Sequence, residues 1–285
     1  MKVGVALGGG GARGYAHFGV LYALEKNGIQ IDCLAGTSIG AAIGALWATM
    51  QTVDCFRELR KLTRSGVWNY LDLEIPTVNG LFRGEKLYHL LQSWFMGYRI
   101  EHLTREFCAN AVELETGREV TFTSGSVSDA VRASVSLPMV LSPWKIGHSS
   151  YVDGGVVNPL PIKQCREMGA DVVIAVDLLG VVGNTGIGAN SSFRMPDDLS
   201  DLAEDMRFLK KLLKPAIPSI AFSSILLSQK ALTDSILQSA TPAVLIRPDL
   251  SMYSGDEFHM VEEISEKGKE AAELMMPDIL RSLRS

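Results

Sequence analysis

The sequence is short of most features that mark a metalloprotein, a disulfide scaffold, a nucleic-acid binder or a membrane span. Its 285 residues hold four cysteines and five histidines. Cys33, Cys55, Cys108 and Cys165 are scattered, with no C-x-x-C and no spaced histidine pair, which leaves no zinc pattern. Set among apolar residues, they read as buried free thiols of a chain kept in a reducing compartment. Positive charge is in deficit: 27 Lys and Arg against 32 Asp and Glu give a net charge of −5. No basic excess exists to neutralise phosphates, so nucleic acid is not the partner. No apolar run reaches the ~18 residues of a membrane span, and Val3–Leu7 is too short for a signal-peptide core. No acidic loop has calcium spacing. These absences predict a cytoplasmic protein without metal or cofactor, built on an ordinary apolar fraction of 47%.

What is present is organised around Gly36-Thr37-Ser38-Ile39-Gly40. An apolar run, Ile31 to Ala35, enters this stretch, and a small-residue helix from Ala41 to Ala48 leaves it. Strand, sharp turn carrying G-x-S-x-G, then helix is the arrangement of a nucleophile elbow. Glycines on both sides avoid Cβ clashes, and Ser38 falls at a helix start, where free N–H groups favour negative charge. By itself the pattern fits an ordinary glycine-rich turn equally well.

Upstream, the strand Val3–Leu7 opens into Gly8-Gly9-Gly10-Gly11-Ala12-Arg13-Gly14 and then a helix through Lys26, with Ala16, Val20 and Leu24 on one face. Strand, helix, strand, helix within 50 residues predicts a right-handed βαβ unit in a parallel sheet. The loop has three readings. Gly9-x-Gly11-x-x-Gly14 matches a dinucleotide fingerprint, although the acidic residue expected at the end of the second strand is missing. A phosphate-cradling P-loop lacks its Gly-Lys-Ser/Thr. Consecutive glycine amides at a helix start also suit an oxyanion hole. Loops after adjacent parallel strands emerge on one sheet edge, so the glycine loop and Ser38 should face each other. Arg13 is expected to brace the loop through carbonyls.

Further along, Val53 to Leu62 and Glu85 to Phe95 read as helices, the second with Leu87, Leu90, Leu91 and Phe95 as core. Phe107–Val112 and Val120–Thr123 read as strands, and Ser128-Asp129 as the cap of a helix over Ala130–Ser134. Asp153-Gly154-Gly155 makes a tight turn that presents a carboxylate, with an Asx-turn as the plainer account. A helix to Met168 and a strand ending near Asp177 follow. A mobile loop near 180–198 precedes a helical segment near 199–240, whose apolar Pro215–Leu227 stretch suits core, interface or a lipid-facing lid. Ala243–Ile246 is a last strand and Glu257–Met275 a closing helix. No linker divides residues 1–285, so one domain is expected.

Taken together, Gly9 to Gly14, Gly36 to Gly40 and Asp153-Gly154-Gly155 resemble the bacterial patatin-like phospholipases. Ala133-Ser134-Val135-Ser136-Leu137-Pro138 and Ile246-Arg247-Pro248-Asp249-Leu250 extend the likeness in the family's order. The resemblance implies a three-layer α/β/α fold with a mostly parallel sheet and hydrolysis of acyl esters, phospholipids or lysophospholipids, by a Ser–Asp dyad. It makes Ser38 the nucleophile and Asp153 the base. Gly9, Gly10, Gly11 and Ala12 would form the oxyanion hole, supported by Arg13, Gly14, Gly36, Gly40, Gly154 and Gly155. Peripheral contact with a membrane goes with such substrates.

A serine triad would need a histidine. His17 alone lies near the proposed site, where it packs, orients the loop or contacts substrate. A carboxylate base is more economical, with Asp177 as the competitor to Asp153. A nucleotide-binding protein and a non-catalytic module using the 215–227 segment are the readings from other classes.

Overall fold

The computed structural model describes residues 1–50, 52–60, 70, 72, 82–180 and 216–284. Position 181 onward of the expected 180–198 loop, and the part of the expected 199–240 helical segment before 216, lie outside the described residues.

The chain begins with β1 (Val3–Leu7), buried at every position as a strand covered on both faces must be. A 3₁₀ turn at Gly11–Gly14 leads into α1 (Tyr15–Lys26), followed by β2 (Cys33–Thr37) and α2 (Ile39–Thr49). The strand entering the elbow thus starts two residues later than the apolar run beginning at Ile31. Pairing fixes this: β1 lies parallel to β2 with Gly4 opposite Cys33 and Leu7 opposite Gly36. Next come α3 (Thr52–Arg60), α4 (Glu85–Phe95), β3 (Glu106–Glu113), β4 (Glu119–Phe122) and α5 (Val127–Ser134). The cap of α5 is Ser126, whose Oγ accepts the Asp129 N–H, rather than Ser128-Asp129. The chain continues through β5 (Trp144–Ile146), β6 (Ser149–Asp153), α6 (Ile162–Glu167), β7 (Val172–Val176), α7 (Ala216–Ser239), β8 (Val244–Ile246) and α8 (Val261–Ser282).

The strands form one mixed sheet in the hydrogen-bonded order β5-β6-β3-β2-β1-β7-β8, with β4 paired to β3. Pairings among β3, β2, β1, β7 and β8 are parallel, and those of β4, β5 and β6 are antiparallel. The pleat sends Val5, Leu7, Ile174 and Val176 into a core with α1, α2 and α8. Ala6, Ala35, Cys108 and Val173 pack on the other face with Ile162 and Cys165 of α6 and Ile236 of α7. Helices therefore cover both faces, a three-layer α/β/α arrangement. All four cysteines are buried and free. No helix among the described residues is long and apolar enough to cross a membrane.

One detail of the sheet places the site. On β3, Asn110 pairs with Thr37 of β2 and Thr121 of β4, while Ala111 pairs with Asp153 of β6 and Val120 of β4. Since β4 holds one edge of β3, β2 and β6 share the other. They run toward each other along it and end opposite adjacent residues, so the residues leaving β2 meet those ending β6.

Candidate active site

Ser38 caps α2 with φ 56° and ψ −125°, a left-handed conformation rare for a non-glycine residue. Such strain, on the order of 1–3 kcal/mol, persists only where the surroundings fix it. Here the Ser38 N–H donates to Ser134 Oγ at 2.9 Å. The turn is also dense: at Gly14, Gly36 and Gly40 an added Cβ would stand 2.1–2.4 Å from Ile39, Ala41 and the Leu7 carbonyl respectively.

Ser38 Oγ donates to Asp153 Oδ2 at 2.6 Å. Asp153 is wholly buried, and its other oxygen accepts the Gly155 N–H at 2.7 Å. The Asx-turn and the serine contact are thus two uses of one carboxylate. Its backbone N–H donates to Ser136 O at 2.9 Å. The segment from Ser134 to Ser136 therefore holds both partners, through a side chain on one side and a carbonyl on the other. Burial raises the Asp153 carboxyl from 3.8 to about 6, against the two hydrogen bonds that favour its ionised form. Beneath the pair, Thr37 Oγ1 lies 2.7 Å from Asn110 Oδ1 and 2.9 Å from Asn158 O, and Asn110 Nδ2 donates to Asn158 O.

The glycine loop faces Ser38 as its place after β1 requires. Its donors are fewer than the sequence suggests. Gly9 N–H is taken by Pro159 O at 3.0 Å and Ala12 N–H by Gly255 O at 2.8 Å. These two amides cannot also serve an oxyanion, which removes Gly9 and Ala12 from the expected donor set. Gly10 and Gly11 have no amide partner among the described residues, and both line the cavity beside Ser38. Arg13 is buried and braces a carbonyl, but that of Tyr253 near the C-terminus, at 2.8 Å.

His17 is fully buried, and its Nε2 stands 2.7 Å from Gly8 O. A carbonyl only accepts, so Nε2 carries the proton. Burial lowers the ring's pKa to about 4, which keeps it neutral. The histidine braces the glycine loop, and its Nδ1 is unpartnered among the described residues. Asp177 is equally committed elsewhere: Arg247 Nε donates to its Oδ2 and Leu179 N–H to its Oδ1, each at 2.9 Å.

Ser38 opens onto a cavity of about 220 Å³. Its walls are mainly Leu87, Leu90, Trp94, Val135, Leu137 and Phe258. The α4 stripe serves both: Leu91 and Phe95 are buried in the core, and Leu87, Leu90 and Leu91 also line the cavity, the first two packed against that core. Leu226 and Gln229 of α7 close another wall. Among the described residues no group of His, Cys, Asp and Glu is arranged to hold a metal ion.

The arrangement can activate a serine oxygen, offer two amides to a developing oxyanion and receive an apolar chain. Comparison with known proteins gives the same direction. A family model described as patatin-like phospholipase matches residues 5–166. An uncharacterised NTE family protein of Mycobacterium tuberculosis is 33% identical over 287 residues, covering 98% of this chain and 48% of that protein. Lysophospholipase NTE1 of Pyricularia oryzae is 33% identical over 274 residues, covering 94% of this chain and 18% of that protein. The chain spans about half the length of the mycobacterial relatives it matches. Among solved structures, VipD from Legionella pneumophila shares the fold, with a TM-score of 0.56 at 12% identity over 97% of this chain and 66% of that one.

Proposed function

That the chain belongs to the patatin-like phospholipase family is the premise from which we propose a serine acyl-ester hydrolase acting on phospholipids or lysophospholipids. In this reading Ser38 is the nucleophile and Asp153 the base. The observation that carries it is the 2.6 Å contact between Ser38 Oγ and Asp153 Oδ2 at the mouth of an apolar cavity.

The geometry suits the following sequence. The acyl chain enters the cavity and brings the ester carbonyl over Ser38. Ser38 Oγ attacks the carbonyl carbon while its proton passes to Asp153 Oδ2. The carbonyl oxygen becomes an oxyanion facing the Gly10 and Gly11 amides, each such donor worth about 3 kcal/mol in comparable hydrolases. Collapse expels the alcohol, which takes the proton from Asp153 and leaves an acyl-serine. Water, giving its proton to Asp153, attacks the acyl carbon, and Ser38 recovers its proton as the fatty acid departs. A carboxyl near 6 is ionised at neutral pH yet more basic than an exposed one, as a carboxylate base requires.

The dinucleotide and P-loop readings fit less well. Three of the loop's amides, those of Gly8, Gly9 and Ala12, are already bonded, Arg13 donates toward Tyr253, and the adjoining cavity is apolar. A fluorophosphonate probe tests the proposal: it should label the native chain and not Ser38→Ala, and only the native chain should release fatty acid from phospholipid or lysophospholipid. Equal ester turnover by Ser38→Ala would overturn it.

A further inference from the structure

One polar side chain at the cavity is left without a task by the dyad and the loop. Gln229 of α7 is 3% exposed, lines the cavity, and its carboxamide has no hydrogen-bond partner among the described residues. Its main chain is settled, with Thr233 Oγ1 donating to Gln229 O at 2.9 Å. A carboxamide that faces the cavity without a protein partner is open to one from a ligand.

Its surroundings say where that ligand group lies. A Cβ built on Gly9 would stand 3.6 Å from Ser38 Cβ and 3.7 Å from Gln229 Oε1. A Cβ built on Gly155 would stand 2.4 Å from Gln229 Nε2 and 3.0 Å from Asp153 Oδ1. Gln229 therefore occupies the corner between the glycine loop and the base's turn, and the absence of a side chain at Gly155 makes room for it. Asp153 is the group that would return a proton to the departing alcohol. Gln229 lines the same cavity as Leu226 but packs against the turn that carries the base, beside which the alcohol part of the ester would leave.

We propose that Gln229 is a substrate-binding residue that reads a free hydroxyl next to the scissile ester oxygen. The proposal rests on the acyl-ester hydrolysis argued above. A carboxamide presents a donor and an acceptor side by side, whichever way its oxygen and nitrogen are assigned. Their complement is a group that both accepts and donates, and a glycerol hydroxyl beside the ester is such a group. A substrate lacking it leaves the buried amide unpaired, which is how such sites reject analogues. The favoured class is accordingly the monoacyl glycerol esters over diacyl ones, in which that hydroxyl is blocked.

The test compares two substrates in the full chain: a monoacyl glycerophosphocholine and its counterpart lacking the free glycerol hydroxyl. The native chain should favour the first in kcat/KM by about 10- to 100-fold. In Gln229→Leu that ratio should fall to within about 3-fold of unity; as a ratio, it is insensitive to a general loss of activity. A native ratio near unity, or a native-like ratio in Gln229→Leu, overturns the proposal. Should Gln229→Leu show no cooperative melt, Gln229→Glu, which accepts but does not donate when ionised, is read in the same way. Fluorophosphonate labelling with ester turnover but no hydroxyl preference sinks this inference alone. A native chain that is neither labelled nor active on any ester sinks the hydrolase reading with it.

Discussion

Ser38 Oγ and Asp153 Oδ2 lie 2.6 Å apart although 115 residues separate them in sequence. The cause is the shared edge of β3, where Thr37 and Asp153 stand opposite the neighbouring residues Asn110 and Ala111. Both partners are placed by strand pairing, Ser38 as the residue that follows β2 and Asp153 as the last of β6. Replacing either should leave the other in place, so the losses should be catalytic. Ser38→Ala and Asp153→Asn are each expected to lower kcat/KM for short acyl esters by at least about 10³-fold in a chain that still melts cooperatively. Retained activity in Asp153→Asn alone would move the role of base to another group.

The pH profile follows from the same carboxylate. In the proposed dyad Asp153 must be ionised to take the serine proton, and burial pushes its carboxyl up to about 6. Turnover measured across acid and neutral pH should fall with a midpoint near 6 as the pH is lowered. An activity that persists unchanged to pH 4 would be incompatible with this base.

Stability carries two opposed slopes. Asp153 is raised from 3.8 to about 6, so its contribution is fully present below the lower value and is lost as pH rises through about 6. His17 is lowered from 6.5 to about 4, so its contribution is present above 6.5 and is lost as pH falls through about 4. Asp153→Asn removes the first slope and leaves the second. At neutral pH the variant should be the more stable chain, by on the order of 1–3 kcal/mol. Its melting temperature should then decline more steeply than the native one on acidification. Parallel curves for the two proteins would refute the assignment.

Ser134→Ala probes the strained turn. It strips the Ser38 N–H of its acceptor while touching neither dyad side chain. A stability loss of about 1–3 kcal/mol by urea titration is expected. A drop of roughly 10-fold in kcat with KM little changed should accompany it, since geometry rather than binding is disturbed. A normal kcat would show that the turn holds without this contact.

Asp177→Asn separates structure from chemistry. The native carboxylate is paired with Arg247 and caps the Leu179 N–H. Its neutralisation should cost about 2–4 kcal/mol of stability while Ser38 remains reactive toward a fluorophosphonate. Loss of labelling in a folded variant would count against the assignment of Asp153 as base.

The parts of the site readable in the sequence are those whose chemistry is written in adjacent residues. A serine between glycines, a run of glycines after a strand, and an aspartate before two glycines each announce a backbone that must bend tightly. Which amides of the glycine run stay free was not readable, because Pro159 and Gly255 take two of them from far along the chain. Periodicity identified the apolar face of α4 but could not say that Leu87 and Leu90 meet a cavity while Phe95 meets the core. Ser126 caps α5 in place of Ser128-Asp129 because several adjacent residues of the right type compete and backbone direction decides. The last helix outruns its expected end at Met275 and contains Pro277, since Met276 and Ile279 pack into the core beyond it. Gln229 carried no local signal at all.

The Arg13 and Ala12 contacts with Tyr253 and Gly255 have a consequence for the chain as it is made. The glycine loop is translated well before the carbonyls that brace it, that of Tyr253 lying 240 residues after Arg13. Synthesis runs from the N-terminus, and early segments fold before late ones exist. The elbow and its carboxylate can meet once β6 has emerged, whereas the loop beside them gains these two supports only after Tyr253 and Gly255 have followed. A chain halted before Tyr253 would hold a paired serine and aspartate beside a loop lacking these two braces, so a chain extended past Gly255 should react with a fluorophosphonate markedly faster than the halted one.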